Sequence, residues 1–439
     1  MPSLESAFLR SWSILFLLAA CGTPTTGPTG ADAAPAVAVP KGMSLGDEHP
    51  IPSRFAPLPL VEPHIAAHPT DARHLLAASM VVTDIQRPYE SCRLSSFVSR
   101  DGGATWTETA HDSWDYDPWT AILADGQAVL AWIGTPGKFR DAYPIQFFRS
   151  ADGGVTWSEN VQTIAGNHDG TKLAVGNGEF WFTTVQFVED MATDIVLCRA
   201  RGAEPFVEVA RVPGQGQRLA FCEPAVLSDG TVLVPAARHR QRAWVHAWSP
   251  ATGKLSAPRV ISERAGGAKG YMRLCADTSP DSPWRDRCYF VRALGSGDQH
   301  DGVWWNVSTD GGATWSEDAR VDRFPGTAGG RANLASAVCN RRGVLGISWI
   351  DAAATGEPGQ DVWFAASADG GATFTPPLRV SSVASDPRTE GNGDVANKFP
   401  GGGHYMGIAA RADGEFQLIW SDSRNGRFAL WTRSVRIDN

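Results

Sequence analysis

The ten residues Ser308–Glu317 read STDGGATWSE, and close copies stand at Ser99–Glu108 (SRDGGATWTE), Ser150–Glu159 (SADGGVTWSE) and Ser367–Pro376 (SADGGATFTP). Asp-Gly-Gly places residues tolerant of positive φ in a hairpin turn, lets the carboxylate accept N–H bonds across it, and packs the following Trp or Phe underneath. The flanking Ser and Thr hydroxyls add local hydrogen bonds. One Asp per copy is a poor ligand set for a hard cation, so Asp101, Asp152, Asp310 and Asp369 read as structural, with no metal or cofactor expected.

The spacing of the four aspartates, 51, 158 and 59 residues, leaves room for two decayed copies, at RARGAEPFVEVARV from Arg199 and SPATGKLSAPRVIS from Ser249. A period of 50 to 60 residues holding several short strands means small sheets that bury their faces against one another, as in a β-propeller. Strand pairs such as PAVLSDGTVLVPAAR from Pro224 and IAARADGEFQLIW from Ile408 mark the first two strands of a unit. Their openings fall near Glu62, Asp117, Asp169, Glu223, Tyr271, Arg331 and Tyr405. The expectation is therefore an all-β propeller of seven four-stranded blades, with six as the alternative count. The last unit lacks a fourth strand, and residues 43–60 are placed to supply it and remove the free edge.

Composition agrees with short strands and tight turns: 46 Gly, 29 Pro and 17 Trp, 43% hydrophobic and 20% charged. A net charge of −8 argues against nucleic acid as the main partner. The first 20 residues carry one arginine and a short apolar run, the pattern of a secretory signal. They end in Leu18-Ala19-Ala20-Cys21, which resembles a bacterial lipobox. That resemblance implies lipidation of Cys21, a tether over residues 21–42, a propeller over 43–439, and attachment to a membrane facing the periplasm or cell exterior. Six cysteines remain in the mature chain; Cys275 and Cys288 flank a candidate hairpin and are the expected disulfide, with buried free thiols the alternative.

The S-x-D-G-G-x-T-W words are Asp boxes, or BNR repeats, and resemble those of sialidases and related propellers from about Glu62 to the C-terminus. What the resemblance implies for chemistry is a tyrosine nucleophile, a neighbouring glutamate base, an aspartate acid/base and three arginines that grip a carboxylate. CEPAVLSDGTVLVPAAR (Cys222–Arg238) resembles the segment that carries the glutamate and an arginine, which assigns Glu223 and Arg238. GGGHYMGIAARADGEFQLIW (Gly401–Trp420) resembles the segment that presents the nucleophile, Tyr405. Arg273 and Arg331 complete the arginine set, and Asp84 is the acid/base, with Asp115 and Asp117 as rivals. The family's Arg-Ile-Pro signature is absent; VEPHIAAHP (Val61–Pro69) stands there and, with the late HYMG, resembles a large set of exported Asp-box propellers.

These residues lead to a monomeric, exported sialidase-like glycoside hydrolase acting on a carboxylate-bearing glycan. A non-catalytic surface propeller that binds glycan or protein is the alternative, and a polysaccharide lyase comes third. The long loop DPRTEGNGDVANKFPGGGHY before Tyr405 is a candidate substrate lid or a surface connection.

Overall fold

A computed structural model describes residues 39–438 apart from 112–114, 135–142, 190–191, 239–240, 265–271, 297–298, 324–331 and 352–358. Cys21, the signal segment and most of the tether lie outside the described residues, as do Tyr271 and Arg331.

Seven antiparallel sheets follow one another along the chain, each opening on the strand nearest the central channel. The inner strands are Leu60–Ala67, Asp115–Ile122, His168–Gly176, Leu219–Phe221 continued by Ala225–Val226, Met272–Ala276, Ala332–Cys339 and Gly407–Ala410. The chain is thus a seven-bladed β-propeller, which decides between the two blade counts. The last blade takes its outer strand from the beginning of the chain: Met43–Leu45 runs antiparallel to Val435–Ile437, with Met43 opposite Ile437. His49–Pro50 extends the same edge opposite Thr432 and Trp431.

Period-2 alternation sends successive side chains of each blade to opposite neighbours. In the third blade, Phe180 and Phe182 join Phe147 of the second blade, while Trp181 meets Trp248 of the fourth with ring centroids 5.0 Å apart. The hydrophobic core is accordingly a set of interblade clusters, and each fully buried large side chain contributes ~1.5–3 kcal/mol.

The same alternation decides the cysteines. All six described cysteines are free. Cys275 lies opposite Tyr289 and faces the sixth blade, whereas Cys288 lies opposite Ala276 and faces the fourth. The expected Cys275–Cys288 bridge is therefore replaced by an approach of Cys275 to Cys339, Sγ to Sγ 3.9 Å.

Strands one and three of a blade run the same way, so the boxes that follow the third strands lie at the end of the ring remote from the inner-strand openings. Each box closes in one pattern. In the first, Ser99 Oγ donates to Asp101 Oδ1 at 2.8 Å, the Thr105 N–H donates to the same oxygen at 2.8 Å, and Thr105 Oγ1 donates to Oδ2 at 2.6 Å. Asp310 repeats this set, and hydrogen bonds from Thr314 and Ser308 outweigh the upward push of partial desolvation to bring its pKa down to about 2. Arginines near these turns stitch one blade to the next: Arg149 donates to Gly202 O at 3.1 Å, Arg287 to Gly370 O at 2.7 Å and Arg341 to Ala412 O at 2.7 Å.

The closure is reinforced by a buried ion cluster. Arg424 Nη2 lies 2.6 Å from Glu48 of the N-terminal segment and 2.6 Å from Asp422 of the last blade. Removing a partner from a buried pair leaves an uncompensated charge. Arg424→Met is expected to lower unfolding stability by about 3–5 kcal/mol, against about 1 kcal/mol for Asp310→Ala on an exposed turn, with urea midpoints as the measurement. Equal effects of the two substitutions would contradict the role assigned to Arg424.

Candidate active site

Four inner strands are irregular at their openings. Register shifts fall between Val61 and His64, Tyr116 and Trp119, Asp169 and Lys172, and Asn333 and Ser336. Inside these shifts Glu62, Asp117 and Leu334 have φ of 57°, 52° and 50°, and Gly170 occupies the same place with φ 72°. A bulge of this kind re-aims a side chain at a strand end, and αL costs a non-glycine residue about 1–2 kcal/mol. Because Leu334 shares the geometry, the bulge belongs to the repeated blade; what distinguishes the first two blades is that it presents a carboxylate.

Glu62 is wholly buried. One of its oxygens, Oε1, lies 2.7 Å from His404 Nδ1 and accepts the His404 backbone N–H at 3.2 Å. The backbone N–H of Glu62 donates to Gly402 O at 2.9 Å. At Gly403 a Cβ would stand 2.7 Å from Glu62 N, so glycine is required for this close approach. The Glu62 carboxylate also hydrogen-bonds the Asp117 carboxyl. Burial, the charge of Glu62 and that hydrogen bond, in this order, push the Asp117 pKa well above the usual carboxylate range. Asp117 thus holds a proton at neutral pH while keeping a partly open position.

Asp169 opens the third inner strand and pairs with Arg218 at 3.3 Å; their side chains are 41% and 39% exposed, so this pair is the wet side of the mouth. The surrounding protein and the neighbouring Asp117 raise its pKa, with Arg218 pulling the other way.

Beneath the carboxyl groups, Trp119 fills the channel and gathers a second layer. His64 stacks on it at 3.9 Å between centroids, Lys172 Nζ lies 3.7 Å from its ring centroid, the Arg273 guanidinium carbon lies 5.1 Å away, and Tyr405 meets it edge-on at 4.9 Å. His64 Nδ1 accepts the Thr120 N–H at 3.1 Å, and burial, Arg273 and Lys172 lower its pKa, so the ring is neutral. Burial followed by repulsion from Arg273 lowers the Lys172 pKa to about 8, against partial support from Glu223, Asp117 and Glu62.

The residues assigned from the sequence separate into groups. Glu223 is ion-paired with Arg273 at 3.2 Å, and Arg273 Nε also reaches Ser336 Oγ at 3.3 Å. Tyr405 is buried and donates to Pro118 O at 3.2 Å; its carboxylate neighbour is Glu62 rather than Glu223. Burial, then Glu62, then Asp117 push its phenol pKa well up, which keeps the hydroxyl neutral. Asp84 sits in a partly exposed turn, its Oδ2 3.0 Å from Arg87 Nε, outside the bonds that join the channel residues; its rival Asp117 is the aspartate inside them. Arg238 ends the strand Val232–Arg238 opposite Leu219, and among the described residues its side chain forms no ion pair with the channel carboxylates. Arg331 and the side chain of Asp115 lie outside the described residues.

The loop before Tyr405 is a packed segment. Val395 and Phe399 are buried against Val61, Met80 and Trp132, Asn392 Oδ1 accepts the Phe428 N–H at 2.7 Å, and Asp394 N donates to Ile85 O at 2.9 Å.

Sequence reasoning had marked Glu62, Asp117 and Asp169 as strand openings but had no role for His64, Trp119 and Lys172. A signal was available: Glu62-Pro63, Asp117-Pro118 and Glu223-Pro224 are acidic-proline pairs at three openings, and the next residues after the first two pairs are His64 and Trp119.

No protein-family model matches the chain, and neither does any curated protein sequence. Solved structures share its fold. A protein of unknown function from Dyadobacter fermentans is 14% identical over 90% of this chain and 100% of its own, with a TM-score of 0.50. An α-L-arabinofuranosidase from Fusarium graminearum, solved with an iminosugar inhibitor, is 11% identical over 90% of this chain and 98% of its own, at 0.52. An intramolecular trans-sialidase from Ruminococcus gnavus is 13% identical over 85% and 94%, at 0.45. The propeller neighbours thus include glycoside hydrolases, and identities this low establish the architecture alone.

Lys172 gives the site a pH signature. Its pKa falls from 10.5 in a free chain to about 8 when folded, so between these values the unfolded state holds the extra proton and stability rises with pH. The contribution is complete above 10.5 and is lost as pH falls through about 8. Relative to Lys172→Met, the wild type is expected to gain stability from pH 8 to 10, read as the difference in urea midpoints. A flat difference would show that Lys172 titrates normally.

Proposed function

We propose that the protein is an exported glycoside hydrolase whose general acid is Asp117. The carrying observation is the Asp117–Glu62 carboxyl pair: one partner is wholly buried and the other, partly open, keeps a proton at neutral pH. Glycoside hydrolysis needs a protonated carboxyl to release the leaving oxygen and a second carboxylate to attack the anomeric carbon or activate water. Asp169, on the wet side of the mouth and paired with Arg218, is that second group in this reading. Glu62 and His404 act as positioning residues that hold the proton on Asp117. The cationic groups Arg218, Arg273 and Lys172 favour a carboxylate-bearing glycan. The glycosidase activity named for the Fusarium neighbour is compatible with this chemistry without fixing the sugar.

A Tyr405 nucleophile of the sialidase type draws support from its hydrogen bond to Glu62, while its burial against Trp119 favours a packing role. A non-catalytic binding propeller is the second reading, because the channel charges largely satisfy one another: Arg273 with Glu223, His404 with Glu62 and Arg218 with Asp169.

Chromogenic sialoside, glucuronide and arabinofuranoside substrates separate these readings. Hydrolysis that falls about 10²–10⁴-fold in Asp117→Asn, and that declines in the wild type as rising pH removes the Asp117 proton, supports the acid assignment. A Tyr405→Phe variant that alone abolishes turnover would move the reaction to the tyrosine. Glycan binding without turnover would establish the second reading.

Export and a lipid anchor at Cys21 complete the proposal, on the strength of the apolar leader and Leu18-Ala19-Ala20-Cys21. Expressed in a bacterium, the wild type is expected to partition into the detergent phase and Cys21→Ser into the aqueous phase; identical partitioning would exclude the anchor.

A further inference from the structure

We propose that Cys275 and Cys339 form a redox-sensitive crosslink between the fifth and sixth blades. The two sulfurs lie 3.9 Å apart and share a hydrogen bond. Each residue stands at or next to the end of its inner strand, Met272–Ala276 and Ala332–Cys339, on the face where the two blades meet. Both are partly exposed, whereas Cys92, Cys198, Cys222 and Cys288 are buried, so an external disulfide reaches this pair first. Shortening the approach to a bond of about 2.05 Å takes side-chain rotation and a small convergence of two strands that already pack side by side.

The Cys339 thiol is held well up by its hydrogen bond to Cys275, then by burial, then by the Cys275 charge. It therefore stays protonated while Cys275 is the first to ionise. The Cys275 thiolate attacks one sulfur of an oxidising disulfide, of a small molecule or an oxidoreductase, forming a mixed disulfide and expelling one thiolate. Cys339 then loses its proton and attacks the Cys275 sulfur, expelling the second thiolate. Two electrons and two protons pass to the oxidant, which leaves as two thiols, and one S–S bond remains on the protein.

The bridge closes a loop of more than 60 residues that spans the whole hairpin system of the fifth blade, so it restrains the unfolded chain. Its relevance in the cell rests on the export reading, because an oxidising compartment lets such a bond persist. The bond itself is independent of catalysis and can be tested without a substrate.

The full chain is incubated with oxidised glutathione, alkylated under denaturing conditions, digested without reductant and mapped by mass spectrometry. The expected result is a crosslinked Cys275–Cys339 peptide, alkylation of the other four thiols, and a thermal midpoint raised by about 2–5 °C that returns to its starting value with reductant. Cys275→Ser and Cys339→Ser should each keep the reduced-state midpoint within a degree or two and lose its response to oxidant. Alkylation of both thiols after oxidation, glutathione adducts without a crosslink, or a Cys275–Cys288 peptide would overturn the proposal.

Discussion

Ring closure by three residues is the constraint on which this molecule depends. A propeller blade buries both of its faces against neighbours, so no blade has a complete core until the last one meets the first. Met43–Leu45 supplies the outermost strand of the last blade, while Leu60–Ala67, a few residues further on, is already the inner strand of the first. Chain that belongs to one blade is thus covalently continuous with its neighbour, and separating the two requires breaking backbone pairing. Arg424 between Glu48 and Asp422 adds a charge lock on the same seam. Its partners are buried, so the lock resists being half opened.

A closed seven-membered ring leaves a central channel into which every inner strand opens, and the chemistry of the channel follows from what fills it. Trp119 occupies its middle, and two cations and a neutral histidine rest on its faces. Such contacts offset part of the cost of desolvating Lys172, and the lowered pKa shows that the compensation is incomplete. Above this layer Glu62 and Asp117 are too close for both to be charged, so one proton stays between them. The site joins a polar mouth open to water with a floor that excludes it, the arrangement in which one carboxyl stays protonated while another, Asp169, meets an arginine.

The boxed words show how far local sequence carries. Ser, Asp, Gly-Gly and Thr each make a bond within five residues of chain, so their geometry is written in the words themselves and their spacing counts the blades. The Tyr405 assignment failed to reach Glu223 for the opposite reason. Which carboxylate meets Tyr405 depends on the circumference of the ring and on Gly402 and Gly403 seating the loop against Glu62, and neither quantity is local. Cys275 and Cys288 teach the same lesson at short range, since one position of register sends them to opposite faces of the blade.

The sequence by itself determined the propeller, its seven openings, the borrowed closing strand and the structural role of Asp101, Asp152, Asp310 and Asp369, because hairpin turns and period-2 strands are set by contacts between near neighbours. Only the tertiary structure decided that Asp117 shares a proton with Glu62, that Glu223 is held by Arg273, and that Cys275 faces Cys339. Those pairings join residues 50 or more positions apart on different blades, and they exist only once the ring has closed and every opening is pointed at the same axis.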